Sequence, residues 1–260
     1  IVKATPTITF SDVTKTYGDA DFNLTATSSS TGAFTFTIGD TDVATLTGST
    51  TIIVGAGTTT VTVTQAEDAN YNAATATMTL TVSQADIANA SITAIPDQIY
   101  TGSAITISPT VTFNSSTLTQ TTDYTVSFTN NTNAGTASLT ITGTGNFTGT
   151  KTVSFTIVKA TPTITFSDVT KTYGDADFNL TATSSSTGAF TFTIGDTDVA
   201  TLTGSTTIIV GAGTTTVTVT QAEDANYNAA TATMTLTVSQ ADIANASITA
   251  IPDQIYTGSA

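Results

Sequence analysis

Acidic residues recur in pairs beside turn-forming residues, and carboxylates at this spacing are able to bind a metal ion. The candidate ligands are Asp19, Asp21, Asp40, Asp42, Glu67 and Asp68, with Asp97 further along the chain. Ca²⁺ takes six to eight oxygen ligands, which such pairs help to supply. None of the pairs follows the spacing of an EF-hand loop. The alternative, which we favour, is that these side chains accept hydrogen bonds from their own turns. We therefore expect no bound cofactor, with calcium as the hypothesis to test.

Two further motifs have a chemical interpretation and a structural one. Lys3, Lys15 and Lys151 have the chemistry for amide crosslinks to Asn, but we expect solvated lysines on edge strands, where they discourage association between sheets. Gly55-Ala56-Gly57 has the glycine spacing of part of a phosphate loop. It lacks the Lys and the following helix that make such loops bind. We predict a hairpin turn there.

The composition removes most of the residue types that catalysis uses. The chain has no His, Cys, Trp or Arg, and its cations are five lysines. His is the usual general base near neutral pH, Cys the usual soft nucleophile, and Arg the usual clamp for phosphate. No sequence resembles the G-x-S-x-G elbow or the S-x-x-K motif of serine hydrolases. We expect a protein that is not an enzyme, with no catalytic residues.

The charge also limits the partners. The formal net charge is −14 at neutral pH. Nucleic acid is bound mainly by Lys and Arg that neutralise phosphates, and anionic lipid attracts basic segments, so neither partner is expected. No apolar run approaches the ~20 residues that cross a bilayer. We predict no insertion into a membrane within this segment.

A tandem repeat organises the whole sequence. Residues 1–104 recur letter for letter at 157–260, which gives a period of 156 residues. A β-sheet core tolerates many substitutions of similar volume, so folding does not require such identity. Copies in series add length to a rod and effective concentration to a tethered binder. The repeat favours a structural or adhesive role, in which neighbouring repeats of one long chain are partners.

Alternation of Thr with apolar residues predicts the secondary structure. Thr accounts for 70 of the 260 residues and alternates with Phe, Ile, Val and Leu, as in 34–38, 61–64, 75–82 and 153–157. A period of two places the apolar residues on one face of a strand and Thr on the other, so we expect half-buried antiparallel strands. Many short strands without crossover helices are typical of a two-sheet sandwich. We predict an all-β fold of tandem immunoglobulin-like β-sandwich domains arranged as an elongated rod. Rows of Thr also allow binding to ice, but sandwich sheets are twisted rather than flat.

Breaks in the alternation, near Val82–Ile87 and Ile157–Pro162, divide each period into two domains. We predict a first-type domain at 1–83 and again at 158–239, a second-type domain at 84–157, and the truncated start of another second-type domain at 240–260. The predicted first-type strands lie near 5–10, 22–27, 33–38, 43–47, 51–54, 58–64 and 74–82. The predicted second-type strands lie near 91–95, 104–107, 109–113, 123–129, 135–142 and 150–157. We expect the last twenty residues to lack the strands that would cover their apolar side chains.

The apolar faces of these strands define two expected cores. In the first-type domain they comprise Ile8, Phe10, Phe22, Leu24, Phe34, Phe36, Val61, Val63, Met78 and Leu80. In the second-type domain they comprise Tyr124, Val126, Phe128, Leu139, Ile141, Val153 and Phe155. A domain of this size without disulfides depends almost entirely on such a core for its stability.

The first-type domain resembles the MBG-type bacterial Ig-like domain, through Thr16 to Asp19, Gly55 to Val63 and Ala69 to Ala74. The second-type domain is similar to an Ig-like domain found beside it, through Ile99 to Gly102, Asp123 to Val126 and Gly145 to Thr150. Together these resemblances cover essentially the whole chain. They imply the stalk repeats of a large extracellular adhesin on the bacterial cell surface, which projects a distal binding region in attachment or gliding. They imply no binding residue, and the distal ligand is unknown. The alternative is a module that binds glycan or protein weakly at many sites and acts by avidity.

Overall fold

The computed structural model describes residues 1–256 and Gly258, apart from the side chain of Asn245. It is built from strands, with short 3-10 turns at Ile87–Asn89 and Ile243–Asn245 and no α-helix among the described residues. Contacts between residues divide the chain into two compact units. The first comprises 1–98 and 103–157, and the second comprises 99–102 and 158–260.

The first-type sequence at 1–83 forms nine strands. They are β1 (Ile8–Thr9), β2 (Val13–Thr16), β3 (Phe22–Asn23), β4 (Thr27–Ser28), β5 (Phe34–Ile38), β6 (Ala44–Thr47), β7 (Thr50–Ile53), β8 (Gly57–Gln65) and β9 (Ala74–Ser83). One sheet has the order β2-β9-β8-β5 and another the order β3-β7-β6, with β1 paired to β4. The sheets face each other in an Ig-like sandwich, as the alternation predicts.

The register between β8 and β9 aligns the alternating residues of the two strands. Val61 pairs with Met78 on the buried face, whereas Thr62 pairs with Thr77 on the other. The core contains Leu24, Val43, Ala44, Val61, Met78, Leu80 and Val82, and half-buried aromatic rings pack around it. Of the expected core, Leu24, Val61, Val63, Met78 and Leu80 are buried, and Ile8, Phe10, Phe22, Phe34 and Phe36 are half-buried.

Residues 84–158 continue with nine more strands. They are β10 (Ala85–Asp86), β11 (Ser91–Ile92), β12 (Gln98–Ile99), β13 (Val111–Phe113), β14 (Ser116–Thr117), β15 (Tyr124–Thr129), β16 (Gly135–Gly143), β17 (Phe147–Thr148) and β18 (Thr150–Val158). The main sheet has the order β12-β18-β16-β15, beside a sheet with the order β11-β13-β14. The predicted core residues Tyr124, Leu139, Ile141 and Phe155 are buried, and Val126, Phe128 and Val153 are half-buried.

The sequence repeat is a structural repeat as well. The strands of 158–239 are β19 (Ile164–Thr165), β20 (Val169–Thr172), β21 (Phe178–Asn179), β22 (Thr183–Ser184), β23 (Phe190–Ile194), β24 (Ala200–Thr203), β25 (Thr206–Ile209), β26 (Gly213–Gln221) and β27 (Ala230–Ser239). The register of β26 with β27 repeats that of β8 with β9, with Val217 opposite Met234. Each copy therefore reaches the same strand pairing from the same residues.

Three sequence predictions about local structure are wrong. Strand β2 lies parallel to β9, where only antiparallel strands were expected. Residues 104–107 form no strand. The Gly55–Gly57 segment is not a hairpin turn, because β7 pairs with β3 and β6 whereas β8 pairs with β5 and β9. The segment instead carries the chain from one sheet to the other, and the hairpin in this region is β6–β7.

The repeated tail at 241–260 differs from its counterpart at 85–104. Within the described part of the tail no strand forms, and Ile248, Ile251, Ile255 and Tyr256 are 82–93% exposed. These four side chains lack apolar partners, as predicted. Thr257, Ser259 and Ala260 lie outside the described residues. The domain boundaries themselves stay predictions.

Gly32 precedes β5 at a position where a side chain would collide with the backbone. A Cβ there would lie 1.8 Å from the carbonyl oxygen of Ala66. At Gly39, which follows β5, a Cβ would lie 3.3 Å from the carbonyl oxygen of Thr60, a much milder contact. We predict that Gly32→Ala lowers the unfolding free energy by about 2 kcal/mol or more, because backbone shifts caused by overpacking cost roughly 1–3 kcal/mol.

Chemical unfolding of Gly32→Ala beside Gly39→Ala checks this prediction. The second variant introduces the same methyl group at the other end of the same strand, and we expect a smaller loss. Equal stability of the two variants would contradict the packing at Gly32.

Candidate functional site

The candidate site is the junction between the first-type and second-type domains of the first unit. The chain leaves β9 at Ser83 and enters β10 at Ala85, which leaves a single residue between the strands. That residue, Gln84, donates hydrogen bonds from Nε2 to the carbonyl oxygens of Gly145 and Phe147, at 2.8 and 3.3 Å. The linker is therefore tied to the domain that follows it.

Aromatic rings form the apolar centre of the junction. The Tyr17 ring meets the Phe147 ring edge-on, with centroids 5.4 Å apart. Phe147 is buried, and its ring also meets Phe113 edge-on at 5.2 Å. Edge-to-face pairs contribute about 0.5–1.5 kcal/mol beyond their burial. Tyr17 also packs against the core of its own domain, so the contact links two cores.

Two asparagines add hydrogen bonds to backbone groups across the junction. Asn146 Oδ1 accepts from the backbone amide of Ala56 at 2.8 Å, and Asn114 Nδ2 donates to the carbonyl oxygen of Gly18 at 2.9 Å. Gly18 has φ +87°, and a Cβ there would lie 2.6 Å from the Phe113 ring. Glycine therefore meets both the backbone conformation and the close approach. The sequence resemblance includes Gly18 and Ala56, but local sequence did not indicate that they form an interface.

A second polar site holds the loop before β5. Asp68 Oδ2 accepts from the backbone amide and the hydroxyl of Thr31 and from the hydroxyl of Ser30, at 2.8–3.0 Å. Its Oδ1 accepts from the amides of Asn70 and Tyr71. On the inner side, the buried Gln65 donates from Nε2 to the carbonyl oxygens of Ser30 and Gly32. The loop is held from both sides.

The hydrogen bonds of Asp68 lower its pKa below the ordinary range, with the Thr31 amide the largest cause and the Asn70 amide next. Asp224, its counterpart in the second unit, is shifted in the same direction by Thr187 and Asn226. The carboxylate forms hydrogen bonds that the protonated acid cannot all make. These interactions therefore give the fold a stability that is present at neutral pH and lost on acidification.

The other acidic candidates are distributed among separate turns. Asp19 Oδ2 accepts from the Thr16 amide, and Asp40 Oδ1 accepts from the Asp42 amide, as the turn interpretation predicts. Glu67 pairs with Lys3 at 3.1 Å. Asp21 and Asp97 are exposed. Among residues 1–256 and Gly258, no three acidic side chains come together in a group that could hold a metal. Calcium binding stays a hypothesis.

The lysines have partners of several kinds. Lys15 lies on the edge strand β2, as predicted, with Nζ 4.8 Å from the centre of the Phe22 ring. Lys151 was expected on an edge, but it lies on the inner strand β18 and donates to the carbonyl oxygens of Ala88 and Ala90 at the 3-10 turn. Lys3 was also expected on an edge strand, but it lies outside the strands and pairs with Glu67. Lys159 pairs with Glu223 at 2.9 Å in the same way. These contacts give the lysines structural roles.

Each first-type domain also has a cleft that recurs in both copies. The cleft has a volume of about 270 Å³, with Phe10, Leu24 and Met78 among its apolar lining and Ser11 and Asp12 among its polar lining. The counterpart in the second unit has the same volume. Asp12 Oδ1 accepts from the Thr79 amide at 2.7 Å, so this carboxylate is engaged in the fold. The remaining polar lining consists of hydroxyl and amide groups.

Comparisons with known proteins give structural similarity only. No family model and no curated protein matches the chain. A three-domain Ig fragment of titin is 12% identical, with a TM-score of 0.35, over 91% of this chain and 99% of the fragment. A fragment of mouse cadherin-23 is 12% identical, with a TM-score of 0.28, over 92% and 100%. The eight N-terminal Ig domains of the Down syndrome cell adhesion molecule are 13% identical, with a TM-score of 0.32, over 91% of this chain and 37% of that protein. These similarities are too low to support a statement about binding.

We predict that Asp68→Asn combined with Asp224→Asn lowers the thermal unfolding midpoint at pH 7. The amide keeps the shape of the carboxylate but loses acceptor capacity towards Ser30 and Thr31. The difference in unfolding midpoint between the variant and the parent chain should be largest above pH ~4, the ordinary pKa of Asp. It should shrink as the pH falls further. A difference that stays constant down to pH 2.5 would refute the role of the ionised carboxylate. Asp21→Asn, an exposed position, is the control.

For calcium, we predict that a chelator leaves the thermal unfolding midpoint unchanged, because the acidic candidates accept hydrogen bonds within separate turns. A ligand that binds only the folded state raises its stability, so a bound ion would show itself as a loss of several degrees on removal. Calorimetry with and without added Ca²⁺ measures this difference. A lower midpoint in chelator, restored by Ca²⁺, would favour the metal hypothesis.

Proposed function

We propose that this chain is a structural spacer: stalk repeats of a large adhesin on the bacterial cell surface, which project a distal binding region in attachment or gliding. The observation that carries the proposal is the junction of the first unit, where the two domain types are joined without a flexible linker. A single residue separates their strands, and an aromatic contact and two asparagine bonds join them. A junction of this kind limits bending between neighbours.

The acidic surface and the sheet topology support the same proposal. A net charge of −14 keeps neighbouring rods apart and soluble. Sandwiches rich in long-range strand pairs fold and unfold slowly, which suits a segment that transmits force. Neither property requires a ligand. The proposal includes no catalytic activity, and it is supported by the acidic side chains that accept hydrogen bonds within turns.

None of the helices among the described residues is long and apolar enough to span a bilayer. The MBG-type resemblance and the extracellular location belong to the proposal, and they rest on the sequence motifs and the repeat.

The alternative function is weak, multivalent binding of glycan or protein, and the repeated cleft near Phe10 favours it. Its occurrence in both first-type copies would supply avidity. Sugar-binding surfaces use exposed aromatic rings, whereas the exposed aromatic residues of the described chain are Tyr173 and Tyr256. Neither ring lines the cleft. We therefore prefer the spacer.

Small-angle X-ray scattering tests the spacer directly. Three sandwiches of ~40 Å joined end to end should give a maximum dimension of roughly 110–140 Å. A compact protein of this length would have a radius of gyration of about 18 Å. We expect the measured maximum dimension to fall in the range for three domains end to end. A measured radius of gyration near the value for a compact protein would overturn the rod.

A binding control separates the two functions. Methyl resonances of Met78 and Leu24, which line the cleft, are followed during titration with mono- and oligosaccharides. Unchanged resonances are expected for a spacer. Saturable shifts at Met78 and at its counterpart Met234 would favour the binding module instead.

A further inference from the structure

The two first-type copies have the same sequence but different surroundings at one end. In the first unit this end carries the junction surface, which comprises Tyr17, Gly18, Gly55 and Ala56. In the second unit the counterpart surface comprises Tyr173, Gly174, Gly211 and Ala212. Both surfaces are formed by identical residues in turns that lie next to equivalent strands. Any difference between them therefore comes from what covers them.

The counterpart surface is uncovered. Tyr173 is 52% exposed, whereas Tyr17 is half-buried beneath Phe147. Around Gly174 a Cβ would meet nothing within 4 Å, although the same atom at Gly18 would collide with the Phe113 ring. An apolar depression of about 370 Å³ lies here, lined by Tyr173, Val210, Gly211, Ala212, Gln240 and Ala241.

The cover in the first unit has a definite chemistry. It consists of two aromatic rings, Phe113 and Phe147, and two amide side chains, Asn114 and Asn146. The Phe147 ring meets the Tyr17 ring, and the amides reach the Gly18 carbonyl and the Ala56 amide. All four residues belong to the second-type domain. A partner for the counterpart surface must supply this combination of rings and amides.

We propose that the surface around Tyr173 is a docking site for the Phe113–Phe147 face of a second-type domain attached after Gln240. The proposal rests on the spacer function and adds its rule of assembly: each first-type domain binds a second-type domain at this end. The covered surface in the first unit is the direct precedent. Residues 241–260 repeat 85–104 and so carry the start of such a domain, including Ala241, whose counterpart Ala85 is buried in the first unit.

The test compares this chain with an extended chain in which Ala260 is followed by a copy of residues 105–157, which completes a second-type domain. Tyr17→Ala and Tyr173→Ala are made in each. In the 260-residue chain, Tyr17→Ala should lower the unfolding midpoint while Tyr173→Ala changes it little. In the extended chain both should lower it alike. No effect of Tyr173→Ala in the extended chain would overturn the proposal.

A second readout covers the case in which Tyr17→Ala unfolds its domain. The Ala56 amide is bonded to Asn146 in the first unit, whereas Ala212 is exposed. Amide exchange followed by NMR should be at least about tenfold slower at Ala212 in the extended chain than in the 260-residue chain, since loss of a bond speeds local opening. Equal exchange of Ala212 in the two chains would also overturn the proposal. Asn146→Ala, which should speed exchange at Ala56 alone in the 260-residue chain, is the control.

Sedimentation of the 260-residue chain tests the other possible occupant of the surface around Tyr173, which is a second copy of the chain. A monomer over the accessible concentrations agrees with docking within one chain. A dimer that Tyr173→Ala abolishes would replace our proposal with association between copies. Scattering from the extended chain separates the two hypotheses: a compact particle in which Tyr173→Ala is destabilising would refute the spacer and keep the docking site.

Discussion

The pairing of β8 with β9 is the interaction on which each first-type domain depends. Both strands alternate Thr with apolar residues, and their register sets Val61 opposite Met78 and Thr60 opposite Thr79. Because a shift by one residue would exchange the two faces, the burial of Val61, Met78 and Leu80 fixes the register. The outer strands β5 and β2 then add to this pair, and the second sheet closes over its apolar face. The same pair recurs as β26 and β27, with the same consequence.

The alternation made the long strands predictable, and two four-residue strands, β6 and β7, also lie within a residue of the predicted 43–47 and 51–54, but other short strands were not predicted. Strands predicted at 33–38, 58–64 and 74–82 agree with β5, β8 and β9 to within a residue, because a period of two over five or more positions is unambiguous. Strand β2 is only four residues long and was not predicted, since its parallel partner lies more than sixty residues away. The prediction of a hairpin turn at Gly55–Gly57 was wrong for another reason. Local sequence shows that a chain turns there, but not whether it returns to the same sheet.

The roles of the polar residues that hold the 30–32 loop could not be predicted from the sequence either. Gln65 follows the Thr and Val positions of β8 and occupies a core-facing position, where its amide donates to two carbonyl oxygens of the 30–32 loop. Asp68, which we considered as a calcium ligand, holds the same loop from outside. In the sequence both look like ordinary residues of a surface turn. Their roles depend on a loop that lies more than thirty residues earlier in the chain.

The junction shows why identity of sequence does not imply identity of surface. Tyr17 and Tyr173 occupy equivalent positions in equivalent folds, yet one is half-buried and the other exposed. No property of the first-type domain alone accounts for this, because the covering rings belong to Phe113 and Phe147 of the other type. The order of domains therefore carries information that neither domain contains. An alternating array makes every such surface a contact between unlike neighbours, which lowers the chance that identical domains exchange strands. In the first unit the contact between unlike domains is held by one row of rings, because Tyr17 packs against Phe147 and Phe147 packs in turn against Phe113.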